Sequence, residues 1–163
     1  MHRKALGKGL EALETADEQV GIFENRLYHG IEDMLEAFDA AGHDLRVVTV
    51  KPRIYALKIL EHFGIARLFR GVYGPELSAR GYTKESLIRE ARADAPELPS
   101  GAIMVGDRAE DVRGARNNSM GSVAVAWGYG SREELEAAQP DRIVASSSEL
   151  LEYVRHADRF GRT

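Results

Sequence analysis

The stretch Ala102-Ile103-Met104-Val105-Gly106-Asp107-Arg108-Ala109-Glu110-Asp111 constrains this chain more than any other. Its apolar run, bounded by Gly101 and Gly106, reads as a strand buried on both faces. Such strands belong to parallel sheets covered by helices. Asp107 then stands at the carboxyl end of the strand, where open α/β sheets place their ligand crevice. A helix over Ala109 to Arg116 puts Asp111 in its first turn, pointing back toward the same crevice. Two carboxylates at one rim suit a hard cation such as Mg²⁺, which takes oxygen ligands and often a substrate phosphate too. The plain alternative is an ordinary strand-to-helix turn in which the helix dipole alone favours Asp111.

The same alternation recurs along the chain. Ile31, Met34, Leu35 and Phe38 fall at helical spacing, with Gly42 as a stop. Leu45 to Val50 is a β-branched strand with Thr49 near its end, and Pro52 opens a helix carrying Ile54, Leu57 and Leu60 that ends near Gly64. A short strand is expected within Leu68 to Tyr73, and Thr83 caps a helix running through Arg92. Ser122 to Trp127 reads as another buried strand leading into Gly128-Tyr129-Gly130. Ser131 with Glu134 has capping-box spacing for a helix ended by Pro140. Arg142 to Ala145 is a last strand, and Ser146 with Glu149 caps a last helix. Strands alternating with helices imply right-handed crossovers and a doubly wound α/β domain. The first forty-odd residues contain no strand-like run. Residues 1–24 look helical and polar, with Thr15 and Glu18 marking a helix start near Ala16.

With 163 residues, 44% of them hydrophobic and 29% charged, the chain suits one globular domain. No apolar run approaches the roughly 20 residues that span a bilayer. No cysteine is present, which removes disulfides, zinc–thiolate sites and thiol nucleophiles. A net charge of −4 argues against nucleic acid as a partner. A cytoplasmic location is expected.

Three more positions collect at the rim of Asp107. The Thr49 hydroxyl can donate to a phosphate oxygen, although a threonine in a strand is also simply a good β-former. Lys84 lies in the first turn of its helix, where positive charge opposes the dipole, so either a function or a solvated surface position accounts for it. Lys51 is a phosphate contact or a solvated loop charge. The Trp127-Gly128-Tyr129-Gly130 loop walls the crevice or is a glycine turn with Trp127 filling a packing gap. The five histidines (His2, His29, His43, His62, His156) share no ligand spacing and read as surface or boundary residues.

The order of these pieces is more specific than any one of them. Thr49-Val50-Lys51-Pro52, then Lys84, then Gly106-Asp107-x-x-x-Asp111, then Trp127-Gly128-Tyr129-Gly130-Ser131 resembles the haloacid dehalogenase superfamily, and within it the phosphoglycolate phosphatase-like phosphatases. The resemblance runs from about Phe23 to Val154 and includes Glu24-Asn25-Arg26-Leu27-Tyr28. It implies a Rossmannoid core over residues 25–163, with residues 1–24 as the remnant of a helical cap. It implies a Mg²⁺-dependent phosphomonoester hydrolase that works through an aspartyl-phosphate on a small phosphorylated metabolite, with no nucleic-acid or membrane partner. Thr49 then binds the phosphate, Lys84 neutralises it and Asp107 coordinates Mg²⁺. Asp111 is a ligand through water or orients Lys84.

The family's nucleophile is the first aspartate of an Asp-x-Asp-Gly-Thr motif at the end of the first, central strand, and this sequence has no such motif. Asp17, Asp33, Asp39 and Asp44 precede Thr49, but none follows an apolar strand run. Most of the cap is missing as well, and Val50 stands where relatives have a small polar residue. The expectation is therefore an N-terminally truncated hydrolase, inactive or impaired as it stands. The alternative is a non-catalytic domain of the same family that binds a phosphate ligand or a partner. In the resembling folds the missing strand lies between those of Thr49 and Asp107, so each keeps an unpaired edge. Either the two strands close up, the N-terminal segment fills the gap, or a second chain pairs there as a homo-oligomer.

Overall fold

The computed structural model describes residues 26–96 and 101–160. The expected helix near Ala16 and the cap remnant over 1–24 lie outside the described residues. Among the described residues, six helices and five strands follow in alternation: α1 (Ile31–Ala40), β1 (Arg46–Val48), α2 (Arg53–His62), β2 (Gly71–Tyr73), α3 (Lys84–Ala93), β3 (Ile103–Gly106), α4 (Ala109–Asn117), β4 (Gly121–Val125), α5 (Arg132–Ala138), β5 (Arg142–Val144) and α6 (Ser147–Phe160).

Side-chain alternation along the strands builds two apolar layers. On one face Val47, Ile103, Val105, Val123, Val125 and Val144 pack with Met34, Leu35 and Phe38 of α1, Leu60 of α2, and Leu150 and Val154 of α6. On the other, Val48 and Met104 meet Leu87, Ile88 and Ala91 of α3 and Ala115 of α4, while Ala124 packs with Val112 of α4 and Leu135 of α5. Helices on both faces make this the doubly wound α/β architecture expected of such strands.

All strand pairing is parallel, but it falls into two ladders. β1 pairs with β2, and β3, β4 and β5 form a second sheet in that order. β1 and β3 do not pair with each other, so the two strands have not closed up on one another. Their side chains nevertheless belong to the same two core clusters, so the gap lies within one structure.

Several details differ from expectation. In α2 the buried residues are Ala56, Ile59 and Leu60, and Ile54 is left exposed. Arg53 Nε donates to Val72 O (3.0 Å), Arg53 N donates to Pro75 O (2.9 Å), and these bonds fix how the helix is rotated. Leu68 to Tyr73 divides into a single 3₁₀ turn (Ala66–Leu68) and β2, because Arg70 N bonds to Leu45 O and starts the ladder only there. The strand after α4 ends at Val125, leaving Trp127 in the loop. His43 is buried with its ring edge-on to Phe38 (centroids 5.4 Å), whereas His29, His62 and His156 are exposed.

Candidate active site

β1 and β3 deliver Thr49 and Asp107 to their carboxyl ends, and α3 delivers Lys84 to the same rim. Thr49 N continues the ladder by donating to Tyr73 O (2.9 Å), which fixes the residue in a fully buried position. Its Oγ1 accepts from Lys51 N (3.0 Å), so Lys51 is held in the same turn. Thr83 caps α3 by accepting from Ser86 N, while Ser86 Oγ accepts from Thr83 N. That cap starts the helix at Lys84, whose ammonium reaches Val48 O (3.2 Å) and Asp111 Oδ1 (2.8 Å).

Asp111 is only 2% exposed, and both of its oxygens are used. Oδ1 pairs with Lys84, and Oδ2 accepts from Asp107 N and Arg108 N (3.1 Å each). It therefore shapes the turn after β3 while holding the α3 lysine that also donates to the β1 carbonyl of Val48. Gly106 is required for this approach, since a Cβ there would overlap the Asp111 carboxylate.

Asp107 differs from Asp111. Its Oδ2 accepts from Tyr129 N (2.8 Å) and its backbone O from Gly130 N (3.0 Å), so the loop after β4 clamps it in place. A Cβ at Gly128 would collide with the Asp107 side chain. The Asp107 Oδ1 atom, buried at a residue only 2% exposed, has no hydrogen-bond partner among the described residues. Burying an ionised oxygen without compensation is costly, so such an atom suits a bound cation. Among the described residues, no three His, Asp or Glu side chains converge to hold a metal. A cation at Asp107 would take few protein ligands and complete its shell with water and phosphate oxygens, which is how Mg²⁺ is usually held.

Three contributors escaped the sequence reading. The Val48 carbonyl and the Tyr129 amide are backbone groups, which no motif names. Glu134 was expected to close a capping box on its own helix. Ser131 does accept from Glu134 N (3.1 Å), but the Glu134 carboxylate turns to α4, accepting from Ala109 N and Arg108 Nε (2.9 Å each). The Ala109 amide and then Arg108 hold the Glu134 carboxyl below its usual range, and the same pair raises Arg108. The Trp127–Gly130 loop, which the sequence allows as a crevice wall or as a glycine turn with Trp127 filling a packing gap, lays its backbone against Asp107 while Trp127 packs on the core.

Parallel strands covered by helices on both faces, with a buried threonine and a clamped aspartate just past two of them and a buried ion-paired lysine on α3, define a Rossmannoid α/β domain. The chain belongs to the haloacid dehalogenase-like hydrolase family, whose sequence model matches residues 7–125. It is similar to a 5'-nucleotidase of Pseudomonas aeruginosa, 38% identical over 130 residues, covering 80% of this chain and 59% of that protein. A phosphoglycolate phosphatase of Vibrio parahaemolyticus is 33% identical over 151 residues, covering 90% of this chain and 64% of its own length. The crystal structure of a predicted phosphatase from Clostridium acetobutylicum superposes with a TM-score of 0.80 at 40% identity, covering 85% of this chain and 64% of the other. The chain thus spans about three fifths of the length of the curated relatives named here.

Proposed function

We propose that this chain carries the cation- and phosphate-binding part of a Mg²⁺-dependent phosphomonoester hydrolase acting on a small phosphorylated metabolite. The observation that carries this reading is Asp107 Oδ1, buried and unpartnered among the described residues, on the residue whose amide shares the Asp111 carboxylate with Lys84. Asp107 would hold the cation directly. Asp111, with both oxygens engaged, orients Lys84 and reaches a cation only through water. Thr49 and Lys84 would bind the phosphate oxygens, with Lys51 held in the same turn as a further contact. When bound, Mg²⁺ supplies charge stabilisation at the phosphoryl oxygens.

Hydrolysis through an acyl-phosphate also needs a nucleophilic carboxylate at this rim. Asp33 and Asp39 lie on the exposed side of α1, and Asp44 is committed to Arg46 (2.9 Å), at the opposite end of β1. We therefore expect the 163-residue chain to bind Mg²⁺ and phosphate together while hydrolysing a generic aryl phosphate only at background. Calorimetric titration with Mg²⁺ in the presence of phosphate tests the pocket. Binding at millimolar concentration that is lost in Asp107→Asn supports it, and no binding by the unaltered chain removes it. Robust turnover abolished by Asp107→Asn would instead mean that another residue serves as nucleophile. The absent nucleophile also favours a second reading, a domain that binds a phosphate ligand without turning it over.

A further inference from the structure

We propose that the groove beside β2 is a second binding site, separate from the strand rim, for a zwitterion of dipeptide size that carries both an ammonium and a carboxylate. The groove has a volume of about 400 Å³ and is lined by residues 70–74, by Arg53 at the start of α2, by Glu90 and Asp94 at the end of α3, and by Glu76 and Tyr82. That volume falls within the range of small-molecule sites. None of Thr49, Lys51, Lys84, Asp107 and Asp111 lines it. Its wall is held in place from behind. The buried Tyr73 hydroxyl accepts from Arg46 Nη1 (2.7 Å) and donates to Asp94 Oδ2 (3.1 Å), which fixes one carboxylate of the wall. A Cβ at Gly71 would overlap that phenol, so the glycine lets the ring lie across the strand. Arg53 is fixed as well, its amide donating to Pro75 O (2.9 Å) and its Nε to Val72 O (3.0 Å).

The charges define the occupant. Arg53 and Arg70 bring two guanidiniums to the groove, and Glu76, Glu90 and Asp94 bring three carboxylates. Among the described residues, no ion pair joins any of these five to another charge. Glu90 and Asp94 stand one turn apart at the carboxyl end of α3, where like charges repel and the helix dipole disfavours both. A cation between them relieves that cost, and an anion does the same for Arg53 and Arg70. A ligand of one sign alone would meet the other set unmatched, whereas a zwitterion meets both. The termini of an extended dipeptide stand about 6–7 Å apart, two residue rises along a strand. That separation suits opposite charges that share one groove without pairing across it. Tyr82, 44% exposed, offers its ring to an apolar side chain of the same ligand. The inference goes beyond the hydrolase reading and does not depend on a cation at Asp107.

The test is a two-dimensional amide NMR titration of the 163-residue chain with alanyl-leucine at constant ionic strength and without Mg²⁺. The amides of Gly71, Gly74 and Tyr82 should shift and saturate in the millimolar range, while those of Gly106 and Asp107 stay in place. The N-acetylated dipeptide lacks the ammonium and the C-amidated one lacks the carboxylate. Each should bind about tenfold more weakly or worse, since each forfeits one charge-assisted contact. Glu90 and Arg70 are exposed, so Glu90→Gln and Arg70→Gln should leave the unfolding midpoint unchanged and weaken binding about threefold or more. The proposal is overturned by shifts that do not saturate, by either capped dipeptide binding as well as the free one, or by both variants keeping the parent affinity. Preferential binding of the amidated form would mean a plain cation site at Glu90 and Asp94, and would overturn it too.

Discussion

Lys84 sits where several physical preferences conflict. Its charge is buried, and it lies in the first turn of α3, where the helix dipole disfavours a cation. The Asp111 carboxylate at 2.8 Å and the Val48 carbonyl at 3.2 Å offset both costs. Removing one member of a buried pair leaves the other charge uncompensated, so Lys84→Met should destabilise the chain by about 3–5 kcal/mol. Asp111→Asn should also be costly, because it leaves the ammonium buried without its counter-charge. The double variant should be less unstable than the sum of the two by about 1 kcal/mol or more. Urea unfolding of the four proteins measures this, and strict additivity would show that the pair does not act as a unit. Lys84 was visible in the sequence as a misplaced charge at a helix start. Its partner Asp111 came only from the family resemblance, because no local spacing links positions 27 apart in the chain. Gly128 makes a second test at this scale. Gly128→Ala forces a methyl group into the Asp107 side chain, and about 1–3 kcal/mol of destabilisation is expected from the crowding. A variant as stable as the parent would show that the loop relaxes freely.

At the scale of elements, the start of α4 depends on groups from two directions. Asp111 satisfies the amides of Asp107 and Arg108 from within, and Glu134 reaches across from α5 to the amide of Ala109. The Glu134 carboxyl is held below its ordinary range, by the Ala109 amide first and Arg108 next. A carboxyl with a depressed folded-state pKa stabilises the fold above its unfolded value, near 4.3, and loses that contribution as pH falls through the folded value. Glu134→Gln should therefore cost about 1 kcal/mol near neutrality, and the gap between parent and variant should narrow as pH drops below about 4. Denaturant midpoints across that range check the sign, and a gap that widens in acid would refute it. Local signals found the elements well here. Thr83, Ser131 and Ser146 each accept from the amide three residues on. They failed where tertiary contact overrode local pattern: the Glu134 carboxylate left its own helix for α4, and Ile54, at core spacing, was turned to solvent by the bonds of Arg53 to Val72 and Pro75.

The molecule as a whole is two ladders joined by side chains and helices, and that predicts uneven stability. The rim was legible because the residues just past β1 and β3, Thr49 and Asp107, are ones that chemistry singles out. The gap between them followed from the strand order of the resembling folds, which left open whether β1 would slide onto β3, and it has not. A two-stranded sheet is marginal without further pairing, whereas three strands with a buried face can stand alone. β1 and β2 therefore rely on α2 and α3 and on the shared clusters, since among the described residues their ladder bonds run only to each other. In native-state hydrogen exchange at low denaturant, β4, paired on both sides, should open only with global unfolding. Val47 and Thr49, whose amides face β2, should exchange through a smaller opening, lower in free energy by about 1 kcal/mol or more and with a shallower denaturant slope. If β1–β2 and β3–β5 exchange through the same opening with the same slope, the shared side-chain clusters weld the two ladders into a single cooperative unit and the gap has no energetic consequence. A lower opening for β1–β2 would place the weak seam of the fold along the edge that flanks Thr49, Lys84 and Asp107.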